Sequence, residues 1–253
     1  RSLIVENLVP ALILTFLAGL ATGVGGLIAY FVPRPDMRYL SVSLGFATGV
    51  MIFVAFVDLF CSAKEAIGMV RADLFFLAGM LVVYFLDKVV PHAHMDGVAD
   101  PHCDRLYRGG IMMTLGIAIH NLPEGLAVAL VSLADLRLGI PIAIAIAIHN
   151  IPEGVACSVP LYCATGDRRK SCFYSFLAGM AEPLGAIIAI LVLLPFLNGV
   201  VLASSIAFVA GVMVFICFDE LIPIANSYGD EHLTNIGLIA GISVMMIALA
   251  AFH

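Results

Sequence analysis

Charged residues are scarce in this chain. Of its 253 residues, only 12% are charged, whereas 62% are hydrophobic and the mean hydropathy is +1.09. In a typical soluble domain about 25% of the residues are charged. So little charge leaves too little polar surface to keep a folded chain in solution, which excludes soluble enzymes, nucleic-acid-binding proteins and disordered proteins. The composition is that of a polytopic membrane protein.

Two further absences narrow the function. The sequence has no basic patch of the kind that binds nucleic acid, so we expect no nucleic-acid partner. Its six cysteines include no CxxC pair, which argues against a disulfide or zinc-ribbon framework. Most of the cysteines lie in or beside apolar runs, where cysteine usually behaves as a small hydrophobic residue.

Acidic residues are placed unevenly. The chain has 18 acidic and 12 basic residues, and every Lys and Arg falls in a loop or at the edge of an apolar run. Six acidic residues lie inside apolar runs, so the other 12 balance the 12 bases and the net charge of −6 belongs to the membrane interior. These six are Asp58, Glu124, Glu153, Glu182, Asp219 and Glu220.

Eight apolar runs are each long enough to cross a bilayer, which takes about 20 residues. Lipid-exposed backbone must satisfy its own hydrogen bonds, so all eight are expected to be helices. The predicted fold is therefore an all-α polytopic membrane protein, a single domain over residues 1–253. The spans are 7–32, 40–62, 72–90, 109–133, 138–163, 171–195, 200–224 and 233–252.

The positively charged loop residues predict the orientation. Eight of them fall on one side of the eight-span arrangement and four on the other. The positive-inside rule then places both termini outside. The inner set is Arg34, Arg38, Lys88, Arg105, Arg108, Arg168, Arg169 and Lys170, and the outer set is Arg1, Lys64, Arg71 and Arg137.

One loop is longer than the rest. It runs from about residue 88 to 108, faces the cytoplasm by the charge count, and contains His92, His94 and His102. Such a composition favours accessory, mobile metal binding. An ordinary polar loop is the alternative.

The strongest local signal is a repeat. Residues 117–125 read IAIHNLPEG and residues 146–154 read IAIHNIPEG, identical at eight of nine positions. In each copy the His and the Glu are four residues apart, so they lie on one face of a helix. Each copy lies roughly 15–18 Å from the turn between the two runs, which is half the hydrocarbon core. The two helices are neighbours and antiparallel, so the copies are related by inversion near the bilayer midplane, as in many secondary transporters.

Buried carboxylates that face each other need protons or a cation. The imidazoles of His120 and His149 with the oxygens of Glu124 and Glu153 form a nitrogen and oxygen set that suits zinc, iron and similar divalent ions. The absence of cysteine from the motif favours a site that releases its ion. A structural polar network is the alternative interpretation.

Other spans supply candidate companions. Glu182 lies near the middle of the sixth run and is followed by Pro183, which leaves the carbonyl of Gly179 without its helical donor. Asp58 follows Met51 by two helical turns, which predicts that both lie on one face of the second run. Met51 is more often a core residue than a ligand.

These motifs resemble one family. HNLPEG at 120–125 and HNIPEG at 149–154 are similar to the signature helices of the ZIP (zinc- and iron-regulated-transporter-like) metal transporters, especially the bacterial ZupT type. SLGFATGVM, PHAH, AGMAEPLG and DELIP extend the likeness over nearly the whole chain.

The resemblance implies eight helices, both termini outside, a homodimer, the bacterial cytoplasmic (inner) membrane, and uptake of zinc, iron, manganese, cobalt or cadmium. It implies that His120, Glu124, His149 and Glu153 bind the transported ion. A second metal position of a binuclear site would take Asn121, Asn150 and Glu182, with Glu124 and Glu153 bridging, and Met51 would line the first. It implies no prosthetic group.

Two other functions stay open at this point. An intramembrane metal-dependent hydrolase could use a metal and carboxylates to activate water, although the chain has no HExxH motif. A metal-selective channel would differ from a carrier by showing high flux with little saturation.

Removing the histidine side chains of the long loop should leave metal uptake largely intact, because the repeated motif lies elsewhere. The measurement is uptake into liposomes by a variant with His92, His94 and His102 replaced by Ser. Complete loss of uptake would show that the loop is part of the ion path.

Overall fold

The structure is a computed structural model, and it describes residues 2–31, 37–89, 103–196 and 198–252. Within these ranges the chain is helical throughout, with short turns between helices and no strand. The α-helices are α1 (Ser2–Phe31), α2 (Met37–Phe53), α3 (Cys61–Ile67), α4 (Met69–Val89), α5 (Cys103–Ala134), α6 (Leu136–Thr165), α7 (Arg168–Gly179), α8 (Ala181–Leu193), α9 (Gly199–Ile216), α10 (Ile222–Tyr228) and α11 (Glu231–Phe252).

Seven helical stretches in the described ranges are long and apolar enough to cross a membrane. They coincide with seven of the eight predicted spans, which confirms a polytopic all-helical membrane protein. The remaining predicted span, 72–90, coincides with α4, which is 21 residues long but is not among the seven. At 1.5 Å per residue α4 is about 31 Å long. The count of eight spans therefore stays a prediction.

The predicted loop of about residues 88–108 overlaps the start of a helix. Helix α5 begins at Cys103, inside the predicted loop. A membrane helix does not have to end where the hydrocarbon ends, and charged residues are stable on turns that extend into water. The three loop histidines, His92, His94 and His102, lie outside the described residues.

Short polar caps set the turns between spans. The side chain of Asp135 accepts a hydrogen bond from the backbone N–H of Arg137 at the start of α6. Asp167 does the same at the start of α7 and Asn198 at the start of α9. These caps satisfy N–H groups that a helix leaves unpaired at its first turn. They let the chain reverse within one to three residues, so successive spans are antiparallel neighbours.

The helices pack as two groups. In the first group α1 packs against α6 and α7, and α5 packs against α6 and α8. In the second group α2 packs against α11, and α4 packs against α9. The groups meet where α2 contacts α6 and α5 contacts α9.

Glycines bring the backbones together within each group. In the first group a Cβ added to Gly154 would collide with the Thr22 carbonyl oxygen, and one added to Gly125 with that of Glu182. In the second group a Cβ on Gly211 would collide with the carbonyl oxygen of Phe76. Close backbone approach at small residues is how helices associate where lipid supplies no hydrophobic driving force.

Two π-helical segments interrupt the second group. One covers Val54–Phe60, between α2 and α3, and the other covers Cys217–Leu221, between α9 and α10. The wider turn of a π-helix changes the phase of the residues that follow it. Met51 is fully buried whereas Asp58, inside the first π segment, is only partly buried. The prediction that these two share one face assumed a regular α-helix, so it stays a prediction.

Both groups of helices carry further sequence repeats. Residues 16–21 read FLAGLA in α1 and residues 176–181 read FLAGMA at the junction of α7 and α8. Residues 49–56 read GVMIFVAF and residues 211–218 read GVMVFICF, and each of these stretches runs into a π-helical segment. The repetition thus extends beyond the two HN-x-PEG motifs.

Replacing Gly211 with Ala should destabilise the protein by about 1–3 kcal/mol, because the new methyl group has to displace the backbone of α4. The measurement is the thermal midpoint of the purified protein in detergent. Gly199→Ala is the matched control, since it lies on the same helix and a Cβ there meets nothing within 4 Å. Equal midpoints for the two variants would contradict the close-packing argument.

Candidate metal centre

The repeated motifs lie on a helical hairpin. Helix α5 ends at Ala134 and α6 begins at Leu136, so only Asp135 separates them. The two helices must therefore run antiparallel and side by side. His and Glu four residues apart project from one face of each helix, and the hairpin turns these two faces towards each other.

The imidazole and carboxylate groups meet across the hairpin. His149 Nε2 donates a hydrogen bond to Glu124 Oε1 at 2.9 Å. His120 Nε2 lies 3.3 Å from the same oxygen and 3.2 Å from Glu153 Oε1. Each histidine thus contacts the carboxylate of the other helix, as expected for two copies of one motif facing each other.

Three of these residues form a compact group of ligand atoms. One ligand atom each from His120, Glu124 and Glu153 lies within 4.8 Å of the others. All three side chains are buried, as is His149. A mixed set of nitrogen and oxygen atoms this close together matches what zinc and other first-row divalent ions bind.

The two asparagines join the hairpin to its neighbours. Asn121 Nδ2 donates to the carbonyl oxygen of Ala178 at 3.1 Å, and Asn150 Nδ2 donates to that of Ala18 at 2.9 Å. Ala18 and Ala178 occupy the same position of the FLAG repeat. Asn150 Nδ2 also donates to Glu182 Oε1. The amide groups thus hold α1, α7 and α8 against the hairpin.

Glu182 and Met51 have different surroundings. Glu182 is fully buried at the start of α8 and reaches Asn150, so the structure brings it to the motif as predicted. Met51 is also fully buried, within the apolar core. Its side chain fits either interpretation, so a ligand role for Met51 stays a prediction.

Many buried polar atoms of this cluster have no hydrogen-bond partner. They include Oε2 of Glu124, Glu153 and Glu182, Oδ1 of Asn121 and Asn150, and Nδ1 of His120 and His149. Buried polar atoms in native proteins are nearly always satisfied, and exceptions usually mark a functional site. Most of these atoms are oxygens that can only accept, so a cation is the partner that suits them.

Two further intramembrane acidic residues are less buried than this group. Asp219 is exposed and Glu220 is partly buried, both in the second π-helical segment. A Cβ on Gly116 of α5 would lie 3.1 Å from Glu220 Oε2, so this carboxylate faces α5 one turn before His120.

Two buried cysteines were not among the predicted site residues. Cys157 and Cys217 are fully buried. Cys157 follows Glu153 by four residues, the same interval that separates His149 from Glu153. That interval was a usable signal.

Comparison with known proteins agrees with this architecture. The ZIP zinc transporter family matches residues 92–249. A protein of Oceanobacillus iheyensis named zinc transporter ZupT is 46% identical, with 96% of this chain and 98% of the relative aligned. Proteins of the same name from Nitratidesulfovibrio vulgaris and Clostridium perfringens are 44% and 43% identical over 97% and 98% of this chain, and 98% and 97% of each relative.

The fold and the cluster define a multi-pass membrane protein with imidazole and carboxylate groups buried between its helices. The chain belongs to the ZIP zinc transporter family, and its similarity to the ZupT-type members extends over nearly its whole length.

Asn150→Ala should destabilise the protein more than Asn121→Ala, by about 1 kcal/mol, because Asn150 makes one more hydrogen bond between helices. The measurement is the thermal midpoint of each variant in detergent with a metal chelator present, so that metal binding does not contribute. An equal or smaller effect of Asn150→Ala would show that its bond to Glu182 adds no stability.

Proposed function

We propose that this protein is a secondary transporter that imports divalent metal ions, zinc first among them, into the bacterial cytoplasm across the inner membrane. The observation that carries the proposal is the set of buried, unpartnered oxygen and nitrogen atoms at the hairpin of α5 and α6. Family membership supports it, since the similar proteins are named zinc transporters.

The transported ion binds between the two copies of the motif. His120, Glu124, His149 and Glu153 supply its ligands, in keeping with their mutual distances of about 3 Å. Binding replaces the contact between His149 and Glu124 with metal–ligand bonds. The positive charge of the ion then compensates the two carboxylates, for which no Lys or Arg is available in the apolar runs.

A second metal position lies beside the first. Asn121, Asn150 and Glu182 line it, and Glu124 and Glu153 bridge the two positions. The unpartnered Oδ1 atoms of both asparagines and Oε2 of Glu182 support this assignment. An amide at position 150 brings no charge, so this position binds its ion more weakly than the first.

Alternating access comes from relative movement of the two groups of helices. The eight spans are related by an inverted repeat, and both termini lie outside. The outward and inward sides of the ion site therefore have equivalent surroundings. The repeats at 16–21 and 176–181, and at 49–56 and 211–218, support such an arrangement. Iron, manganese, cobalt and cadmium are further candidate substrates, and the assembly is a homodimer.

A transporter accounts for the cluster better than an intramembrane hydrolase does. The motif appears in two facing copies, which suits passage of an ion from one side to the other. A hydrolase needs one face open to its substrate and to water. Measuring ion flux and peptide or lipid hydrolysis on the same liposomes separates the two functions, and saturation at low zinc concentration separates a carrier from a channel.

Glu124→Ala and Glu153→Ala should each abolish zinc uptake into liposomes, because each change removes a ligand and unbalances the remaining charge. Glu124→Gln and Glu153→Gln keep the shape of the side chain and should also lose uptake. Glu65→Ala is the matched control, since this carboxylate is exposed at the end of α3.

The outcome requires that the variants fold, which their elution as single peaks in size-exclusion chromatography would verify. Near-normal zinc uptake by either folded Gln variant would overturn the assignment of that carboxylate as a ligand.

A further inference from the structure

The tyrosines of this chain are concentrated on one side of the predicted membrane. Tyr and Trp are usually enriched at both membrane–water interfaces, but this sequence has seven tyrosines and no tryptophan. From Tyr30 in the first predicted span to Tyr228 after the seventh, each tyrosine lies near a span end that the loop charges predict to be cytoplasmic. The aromatic rings with a polar group therefore share a side with most of the basic residues.

One basic residue on this side contacts two tyrosine rings from two other helices. Arg168 is the first residue of α7, and its Cζ lies 5.2 Å from the centre of the Tyr162 ring, near the end of α6. The same atom lies 6.0 Å from the centre of the Tyr30 ring, near the end of α1. Both distances are within the range of cation–π attraction. By contrast, the ring beside Lys88 is that of Tyr84, on the same helix.

A buried hydroxyl joins the three helices that meet at Arg168. Ser175 Oγ, two turns further along α7, donates a hydrogen bond shared between the carbonyl oxygens of Thr22 on α1, at 2.7 Å, and Gly154 on α6, at 3.1 Å. A Cβ added to Gly26 of α1 would collide with the Ser175 side chain. Because the three helices are held this closely, the guanidinium and the two rings are positioned before any ligand binds.

The Arg168 guanidinium has donors available for an anion. Within the described ranges its contacts are the two rings, and no carboxylate pairs with it. The preceding residue, Asp167, is the N-cap of α7 and accepts the backbone N–H of Lys170. Arg168 is partly exposed, and a Cβ on Gly166 would meet nothing within 4 Å. There is therefore open space beside the turn for a ligand of this arginine.

We propose that Arg168, positioned by Tyr30 and Tyr162, binds the phosphate group of an anionic phospholipid in the leaflet that the loop charges predict to be cytoplasmic. The ends of three membrane helices place the guanidinium at the depth of the lipid headgroups. Arginine binds phosphate through two parallel hydrogen bonds. The cytoplasmic leaflet carries anionic lipids that attract basic residues, and the turn at 166–170 has three basic residues and one acidic residue.

This lipid site is separate from the proposed ion site. Tyr162 follows Glu153 by nine residues, which is about 14 Å along α6. The two sites nevertheless belong to the same group of helices, since α1, α6 and α7 pack together. A headgroup bound at Arg168 would thus hold the group that carries the hairpin at one face of the bilayer.

The test measures lipid binding to the full-length protein in detergent by native mass spectrometry, with a metal chelator present. The probe is phosphatidylglycerol, and phosphatidylcholine, whose headgroup has no net charge, is the comparison. Phosphatidylglycerol should bind more tightly, and Arg168→Gln should weaken its binding by about tenfold, because a charge-assisted pair is lost. Arg169→Gln is the matched control, since it removes the same charge from an exposed neighbour. It should weaken binding by no more than about threefold.

The role of the rings is tested by a second pair of substitutions, which also applies if Arg168→Gln does not fold. Tyr30→Leu removes the aromatic face and should weaken phosphatidylglycerol binding, because the guanidinium is no longer held. Tyr30→Phe keeps the face and should bind within about twofold of the unmodified protein. A ring that only supports packing would change the thermal midpoint without changing the preference between the two lipids.

Three results would each overturn the proposal. Equal losses for Arg168→Gln and Arg169→Gln would show that diffuse charge attracts the lipid. Equal binding of the two lipids would show that the headgroup charge is not recognised. Displacement of phosphatidylglycerol by millimolar inorganic phosphate would identify a site for free anions. Since no zinc is present, none of these results depends on the proposed transport function.

Discussion

Three carboxylates buried in a membrane without a Lys or Arg partner impose the main constraint on this structure. Glu124, Glu153 and Glu182 are each fully buried, and no Lys or Arg lies inside the apolar runs. An ionised group in this environment costs several kcal/mol unless it is compensated. The surrounding helices meet part of that cost with the imidazoles of His120 and His149 and the amide of Asn150.

The packing around the carboxylates follows from the same constraint. Hydrogen bonds from Asn121 and Asn150 reach the backbone of α7 and α1, and these bonds form only when the helices lie close together. Glycines at 125 and 154 remove the side chains that would keep the backbones apart. The HN-x-PEG motif therefore combines ligands, interhelical anchors and close-packing positions in six residues, which explains why both copies keep the same residues in the same order.

The sequence alone was sufficient for the parts of the fold that depend on local rules. Length of apolar runs located seven membrane helices, and the four-residue interval of His and Glu placed their side chains on one face. The spans near Met51 and Asp58 were less predictable, because a π-helical turn depends on packing against other helices and leaves no clear pattern in the sequence. The start of α5 at Cys103 was also missed, because hydropathy marks where a helix enters the hydrocarbon and not where the helix itself begins.

The candidate cluster was predicted more completely than its neighbours. The near-identical repeat of the motif was enough to predict that His120, Glu124, His149 and Glu153 lie together. Cys157 and Cys217 were assigned to the apolar core, because a buried cysteine and a small hydrophobic residue have the same pattern in sequence.

The single-residue turn at Asp135 has a consequence for any ion held between the two motifs. All four histidine and glutamate side chains belong to one hairpin, and that hairpin packs within one group of helices. In the proposed movement of the two groups past each other, the coordination sphere would be carried as an intact unit, so its bonds would not have to break to change the side from which the ion is reached. Exposing the ion to the other side of the membrane would then require changes only in the contacts between the two groups of helices.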